Sequence, residues 1–311
     1  MDTILVALIW IAALIVTLYA SEHLVRHVSS LAPLIGLSAA ALGLLVALGA
    51  DAPEVTSALI ALTRGATNIG LGVVIGSNIY NLAGLLGIAA IVARRVSTGP
   101  SLATFEAGSD LLLTGLLFAL IALPALHIVL GAILLIVLAG YVLRVGRGAT
   151  ESSESGEQRE QGAITRPVLF ILLSVAFIIA GSDVMVNTSI TLGSAFGIPS
   201  TIVGTFVLAI ATSIPNTWGA VSLARRGEPS AAIATAFTSN AINIAIGAGL
   251  PSLFITLHAS PATRALDLPW LLGMTLLAMV LLATRRNLTR LDGGLLLAAY
   301  IGFVILRLLL F

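Results

Sequence analysis

The sequence predicts an all-α integral membrane protein with ten transmembrane helices. Of its 311 residues, 58% are apolar and only 9% are charged, and the mean hydropathy is +1.10. A soluble domain carries about 25% charged residues, so a soluble fold of this size could not cover its surface with polar groups. The apolar runs are long and continuous, as helices that cross a bilayer require, whereas a membrane β-barrel needs alternating segments of about ten residues.

The chain divides into two halves of five predicted spans, 1–146 and 167–311, joined by the hydrophilic stretch 147–166. The predicted spans are 3–21, 31–63, 68–93, 108–123, 126–146, 167–186, 197–224, 229–256, 268–284 and 291–310. The joining stretch is polar and has no apolar periodicity, which is typical of a flexible linker. It leaves no room for a sizeable soluble domain.

Arginine placement predicts the orientation of the spans. If the amino terminus lies outside, 12 of the 15 arginines fall inside, and only Arg64, Arg264 and Arg307 fall outside. Basic residues concentrate in cytoplasmic loops, so both termini are expected outside and the linker inside. We expect the chain to span the plasma (cell) membrane. The chain has no cysteine, which excludes disulfides and thiolate metal sites.

The two halves resemble each other at an offset of 162 residues. The matching positions are Pro53/Pro215, Arg64/Arg226, Gly65/Gly227, Ser77/Ser239, Asn78/Asn240, Asn81/Asn243 and Gly87/Gly249. Because each half has an odd number of spans, the second half enters the membrane inverted relative to the first. Inverted repeats are typical of secondary transporters, whose site lies where the repeats meet near mid-membrane.

Each half carries a proline inside an apolar helix, Pro53 and Pro215. Proline removes a backbone donor and clashes with the preceding turn, so the pattern predicts two facing helix breaks. In a bilayer the freed carbonyls need protein, water or an ion as partners. The carbonyls expected at these breaks belong to Ala47, Ala50, Ala209 and Thr212.

Asp51 and Glu54 lie beside the first proline, flanked by apolar runs. A buried carboxylate in a bilayer is unfavourable by several kcal/mol unless it is paired or hydrated, and no lysine or histidine lies in the predicted core. The i, i+3 spacing places both acids on one helical face. Hydroxyl and amide groups follow in each half at i, i+4 spacing, so these oxygens together indicate a hard-cation site. The hydroxyl and amide residues are Ser77, Asn81, Ser239 and Asn243.

Residues 49–54 (Gly-Ala-Asp-Ala-Pro-Glu) and 76–81 (Gly-Ser-Asn-Ile-Tyr-Asn) resemble the α-repeats of the cation/calcium antiporter superfamily, which includes the sodium/calcium exchangers. That family carries Gly-Thr-Ser-x-Pro-Glu and then Gly-Ser-Asn-Ile-Phe-Asn (or Asp) in each half. The second repeat departs from the pattern, because Asn216 replaces the glutamate, while Asp51 occupies a hydroxyl position in the first. The ligands that the resemblance implies are Glu54, Ser77, Asn81, Ser213, Ser239 and Asn243.

These observations together predict a secondary-active cation antiporter that exchanges a divalent cation, calcium first, for sodium or protons by alternating access. Asp51 and Glu54 would hold the cation, helped by the hydroxyl and amide groups named above and by Asn216. No cofactor and no covalent chemistry are expected. The expected partners are the lipid bilayer and inorganic cations, with no nucleic acid, and the chain is expected to act as a monomer.

Three alternatives remain at this stage. The altered position 216 motivates a magnesium, manganese or monovalent-cation/proton antiporter. Loss of half of the paired site motivates a cation-sensing homologue that does not transport. A membrane enzyme is disfavoured, because the sequence has no Gly-x-Ser-x-Gly or His-Glu-x-x-His motif. Asp110, just inside the fourth predicted span, is expected to cap that helix or to meet headgroup water.

Overall fold

The computed structural model describes residues 2–32, 34–35, 39–93, 95–97, 100–150, 164–285 and 287–310, and within them the chain forms ten helical spans. The spans are α1 (Thr3–Leu31), α2 (Ala39–Thr63), α3 (Thr67–Ala93), α4 (Pro100–Ala122), α5 (His127–Thr150), α6 (Thr165–Phe196), α7 (Ser200–Thr212 and Ile214–Arg225), α8 (Pro229–Ile242, Asn243–Gly249 and Leu250–Ser252), α9 (Thr263–Asp267 and Leu268–Arg285) and α10 (Arg290–Leu310). Nine of them are single stretches that are long and apolar enough to cross a bilayer, and the bent α7 provides the tenth. The all-α membrane fold is confirmed.

Several helix limits differ from the predicted spans. Helix α1 continues to Leu31 and α6 to Phe196, about ten residues beyond the apolar runs, because their polar ends stay helical. Helix α2 begins at Ala39 instead of residue 31. Of the predicted linker, residues 151–163 lie outside the described residues.

Two short strands, β1 (Arg95–Ser97) and β2 (Asn287–Thr289), pair in antiparallel fashion. They belong to the connections that follow α3 and α9. Arg290 adds a hydrogen bond from its Nε to the carbonyl of Ile91 at 3.1 Å. The pairing places these two connections on the same face of the helical bundle, as the arginine pattern predicts; which side of the membrane this face meets stays a prediction.

Helices α3 and α8 form the centre of the bundle. In their apolar windows 83% (α3) and 72% (α8) of residues are buried, compared with 22% in α1, α5 and α10. Outward-facing apolar side chains such as Ile4, Leu172 and Leu309 remain exposed on the outer helices, where lipid would cover them. Helix α1 packs along α6 and α4 packs along α9, so that the outer helices enclose the central pair.

Backbone features recur at the offset of 162 residues. Gly65 and Gly227 both end a helix with positive φ, 77° and 82°, a conformation that side chains with Cβ rarely adopt. The residue after each glycine closes the same turn, with Ala66 N–H donating to the Ala61 carbonyl and Glu228 N–H to the Leu223 carbonyl. Helices α3 and α8 also both widen to π-helical geometry, at Asn81 and Asn243.

The two prolines behave differently, and the predicted break at Pro53 is wrong. Helix α2 continues through Pro53, whereas α7 bends by 44° at Ser213, next to Pro215. Proline leaves the carbonyl four residues before it without a donor, and in α2 the hydroxyl of Ser21 donates to that carbonyl, Gly49, at 2.8 Å. Ser182, 161 positions after Ser21, has no hydrogen-bond partner in the described residues. The unsupported proline is the one at which the helix bends.

Candidate functional site

Asp51 and Glu54 lie at the centre of the bundle, on the face of α2 that meets the second half of the chain. Their exposed fractions are 0% for Asp51 and 1% for Glu54. The side chains that contact them come from α7 and α8. These are Ser213 and Asn216 from α7 and Ser239 and Asn243 from α8. The structure therefore brings together residues that the sequence separates by more than 150 positions.

Each carboxylate accepts one hydroxyl and one amide hydrogen bond. Asp51 Oδ1 accepts from Asn216 Nδ2 at 2.6 Å and from Ser239 Oγ at 2.7 Å. Glu54 accepts from Ser213 Oγ at Oε1 and from Asn243 Nδ2 at Oε2. The two carboxylates are thus held in matching ways by the bent helix and by the central helix of the second half.

Ser77 joins the same cluster from α3. Its hydroxyl oxygen accepts from Asn243 Nδ2 at 3.2 Å, and its own proton is directed to the Val74 carbonyl, also at 3.2 Å. Asn243 therefore links Glu54 of the first half to Ser77 of the first half through a residue of the second. The cluster consists of two acids, three hydroxyls and two amides.

Several oxygens of the cluster are buried and accept no hydrogen bond from the described residues: Asp51 Oδ2, Asn216 Oδ1 and Asn243 Oδ1. Leaving a buried acceptor without a donor is unfavourable by about 1–3 kcal/mol, so native structures rarely do so without a reason. No ion pair among the described residues involves Asp51 or Glu54. Carboxylate, amide and hydroxyl oxygens are the ligands that hard cations prefer.

The cluster cannot hold a cation by carboxylates alone. Within the described ranges no group of three or more His, Cys, Asp or Glu side chains is placed to bind a metal. A cation between Asp51 and Glu54 would therefore also need neutral oxygens from the hydroxyls and amides.

Some predicted site residues are not brought to the carboxylates. Asn81 donates to Asn240 Oδ1 at 3.2 Å, although its own Oδ1 is buried without a donor. The Ala209 carbonyl accepts from Ser213 Oγ at 2.8 Å, and the hydroxyl of Thr212 donates to the Leu208 carbonyl at 2.8 Å.

The prediction of free carbonyls at two helix breaks is corrected accordingly. Because α2 is unbroken, the carbonyl of Ala47 lies within a continuous helix, where the N–H four residues later is its regular partner. The Ala209 carbonyl is occupied within α7 even though that helix is bent. Side chains, and not freed carbonyls, therefore dominate the central cluster.

The sequence analysis missed a second pair of buried acids. Glu106 and Asp110 lie within α4, and each is 1% exposed. The assignment of Asp110 to a helix end is wrong, because α4 begins at Pro100, so Asp110 lies well inside it, where Thr275 Oγ1 donates to its Oδ2 at 3.1 Å. The i, i+4 spacing of the two acids was the available signal, but the predicted span began after Glu106 and placed it in a loop.

A cavity of about 410 Å³ lies away from the central cluster. It is bounded by the turn between α2 and α3, the end of α6 and the beginning of α7, and its polar lining includes Asn68, Ser189, Ser200 and His258. None of the predicted ligands lines it. The buried carboxylates are thus not reached through this cavity in the conformation described.

Comparison with known proteins decides the family. The family model described as sodium/calcium exchanger protein matches residues 5–146 and 166–309, which are almost the whole of both halves. The chain belongs to the sodium/calcium exchanger family. It is therefore a multi-pass membrane cation antiporter and not an enzyme.

Individual relatives cover nearly the whole chain. The sodium/calcium exchanger MaX1 of Methanosarcina acetivorans is 27% identical, over 96% of this chain and 97% of its own. The inner membrane protein YrbG of Escherichia coli is 28% identical, over 89% of this chain and 88% of its own.

Solved structures share the fold. Native YfkE superposes with a TM-score of 0.74 at 18% identity, over 99% of this chain and 92% of its own. The sodium-calcium exchanger NCX_Mj superposes with a TM-score of 0.69 at 23% identity, over 97% of this chain and 98% of its own. At these identities the likeness supports the all-α membrane architecture alone.

Proposed function

We propose that this antiporter binds a divalent cation, calcium in the first instance, between Asp51 and Glu54 and exchanges it for sodium or protons by alternating access. The observation that carries the proposal is the set of buried oxygens without donors around two carboxylates that have no basic partner among the described residues. A divalent cation would neutralise both carboxylates and give those oxygens a partner. The relatives' names support the same class of substrate.

The hydrogen bonds around the carboxylates explain how one cluster can exist with and without a cation. The Ser213 and Ser239 hydroxyls donate to the carboxylates but can rotate to present a lone pair. The Asn216 and Asn243 amides donate through nitrogen, while their oxygens stay free to face a cation. These groups hold the carboxylates in position in one state and supply ligands in the other.

Competition for the same carboxylates gives a physical basis for exchange. Protons, sodium ions and a divalent cation would each neutralise part of the negative charge, so binding of one ion disfavours binding of another. The residues that contact the acids come from the other half of the chain, so a movement of the halves relative to each other would change the ligand set. Inverted-repeat transporters alternate access by such movements around a fixed central site.

The test is a flux assay with purified protein reconstituted into liposomes. Calcium, magnesium, manganese, sodium and potassium are offered in turn, with and without sodium and pH gradients. We expect calcium uptake driven by an outward sodium or proton gradient, and loss of that uptake in Glu54→Gln. The variant Glu228→Gln, which changes an exposed acid outside the cluster, serves as the control. Wild-type flux in Glu54→Gln would overturn the site assignment.

A second candidate keeps the site and changes the ion, to magnesium, manganese or a monovalent cation exchanged for protons. It is favoured by Asn216, which contacts Asp51 where the family pattern has glutamate. If the missing charge sets selectivity, Asn216→Glu should shift the flux profile toward calcium, since an added carboxylate favours a doubly charged ion. An unchanged profile would count against this candidate.

A further inference from the structure

Glu106 and Asp110 of α4 form a second buried acidic pair that the central site does not use. The Tyr141 hydroxyl donates to Glu106 Oε2 at 2.5 Å and lies 2.8 Å from the hydroxyl of Thr238. Thr275 donates to Asp110 Oδ2 at 3.1 Å. Four helices, α4, α5, α8 and α9, therefore converge on two carboxylates with an exposed fraction of 1% each.

No basic side chain of the described residues forms an ion pair with either acid. The guanidinium of Arg144 instead lies over the Phe105 ring, 5.9 Å from its centroid. Asp267, 161 positions after Glu106, is equally buried but binds Arg307 at 2.8 Å. The chain thus supplies an arginine for a buried acid in the second half and none for the pair in the first, so the charge of that pair calls for a different partner.

A second observation points to a ligand. Asp110 Oδ1 is completely buried and accepts no hydrogen bond from the described residues. Asn240 lies beside Asp110, and its Oδ1 accepts from Asn81 Nδ2 at 3.2 Å. Asn240 directly follows Ser239, which contacts Asp51, so the second pair adjoins the central cluster across α8.

We propose that Glu106 and Asp110 form a second binding site for a divalent inorganic cation. The four carboxylate oxygens, the Thr275 hydroxyl and the Tyr141 hydroxyl provide six oxygens, which is the lower end of the range that calcium takes. Asp110 follows Pro100 by ten residues and so lies about 15 Å along α4 from its beginning, with Glu106 one turn nearer that end. A cation held there would lie beside the central site, on the side where α4 begins.

This proposal does not depend on the proposed function, and calcium binding to the purified full chain in detergent can test the two separately. Binding of radioactive calcium is measured by equilibrium dialysis for wild type, Glu54→Gln, the double variant Glu106→Gln/Asp110→Asn, and the control Glu228→Gln. We expect the double variant to bind one calcium ion fewer per chain than wild type and to keep the ion that Glu54→Gln loses. The control should bind as wild type does.

Unchanged calcium stoichiometry in the double variant would overturn the proposal and would leave Glu106 and Asp110 as a protonated structural pair. If only Glu54→Gln kept wild-type binding, the proposed function would fail while the second site would stand. Should the double variant not fold, crystals of the wild type grown with calcium give the answer. An anomalous peak about 2.3–2.6 Å from Asp110 Oδ1 is expected, and its absence beside a peak at the central site would overturn the proposal.

Discussion

At the level of single residues, Asp51 and Glu54 are held by hydroxyls and amides and not by arginines. An arginine would neutralise a carboxylate permanently, as Arg307 does for Asp267. Hydroxyls and amides carry both donors and acceptors, so they can stabilise a carboxylate and can also bind a cation. The choice of neutral partners therefore keeps the pair available to an exchangeable ion.

Ser213 offers a direct test of this role, because it donates to both Glu54 and the Ala209 carbonyl at the bend of α7. We predict that Ser213→Ala lowers cation affinity by about 10–100-fold, the usual effect of removing a group that orients a metal ligand. The measurement is the cation concentration at half-maximal flux in liposomes.

The matched control for this substitution is Ser29→Ala, since Ser29 Oγ donates only to the Val25 carbonyl of its own helix, far from the cluster. We expect the control to keep the wild-type half-saturation concentration. Equal effects of the two substitutions would show that Ser213 does not orient Glu54.

At the level of helices, the two prolines show how far sequence reasoning reaches. The pattern around Pro53 and Pro215 predicts two equivalent breaks, but α2 stays continuous and α7 bends. The difference lies in a tertiary contact, the hydrogen bond from Ser21 to the Gly49 carbonyl, that local sequence cannot reveal. The bend is needed where Ser213 and Asn216 must turn toward the carboxylates.

This explanation predicts a double-mutant cycle. Ser21→Ala should destabilise the protein by about 1 kcal/mol, because the Gly49 carbonyl loses its donor. In a Pro53→Ala background the helix supplies its own N–H to Gly49, so the same Ser21→Ala change should have a smaller effect. Thermal or denaturant unfolding of the four proteins in detergent gives the coupling free energy. A coupling free energy of zero would rule out the proposed relation between Ser21 and Pro53.

At the level of the whole molecule, composition was sufficient to predict the class, and the offset of 162 residues correctly located the backbone turns at Gly65 and Gly227. The pairing of Asp51 with Asn216 was predictable only as proximity, since the hydrogen bonds depend on how α7 bends. Glu106 was missed because hydropathy alone placed the beginning of the fourth span too late, whereas α4 carries its polar residues into the bundle.

A single shared set of carboxylates also predicts how exchange depends on pH. A carboxylate binds a cation in its ionised form, so protons and the cation compete, and lowering the pH should raise the cation concentration needed for half-maximal flux. Flux at saturating cation should fall less than flux at low cation. The assay is calcium uptake into liposomes at a series of pH values, and pH-independent half-saturation would argue against carboxylate ligands.

The most direct test of the central claim is the position of the ion itself. In a crystal structure determined with calcium, we predict an anomalous peak between Asp51 and Glu54, about 2.3–2.6 Å from oxygens of both carboxylates, with Asn216 Oδ1 or Asn243 Oδ1 turned toward it. A protein that transports calcium, yet shows no peak between these two carboxylates, would contradict the assignment of the site.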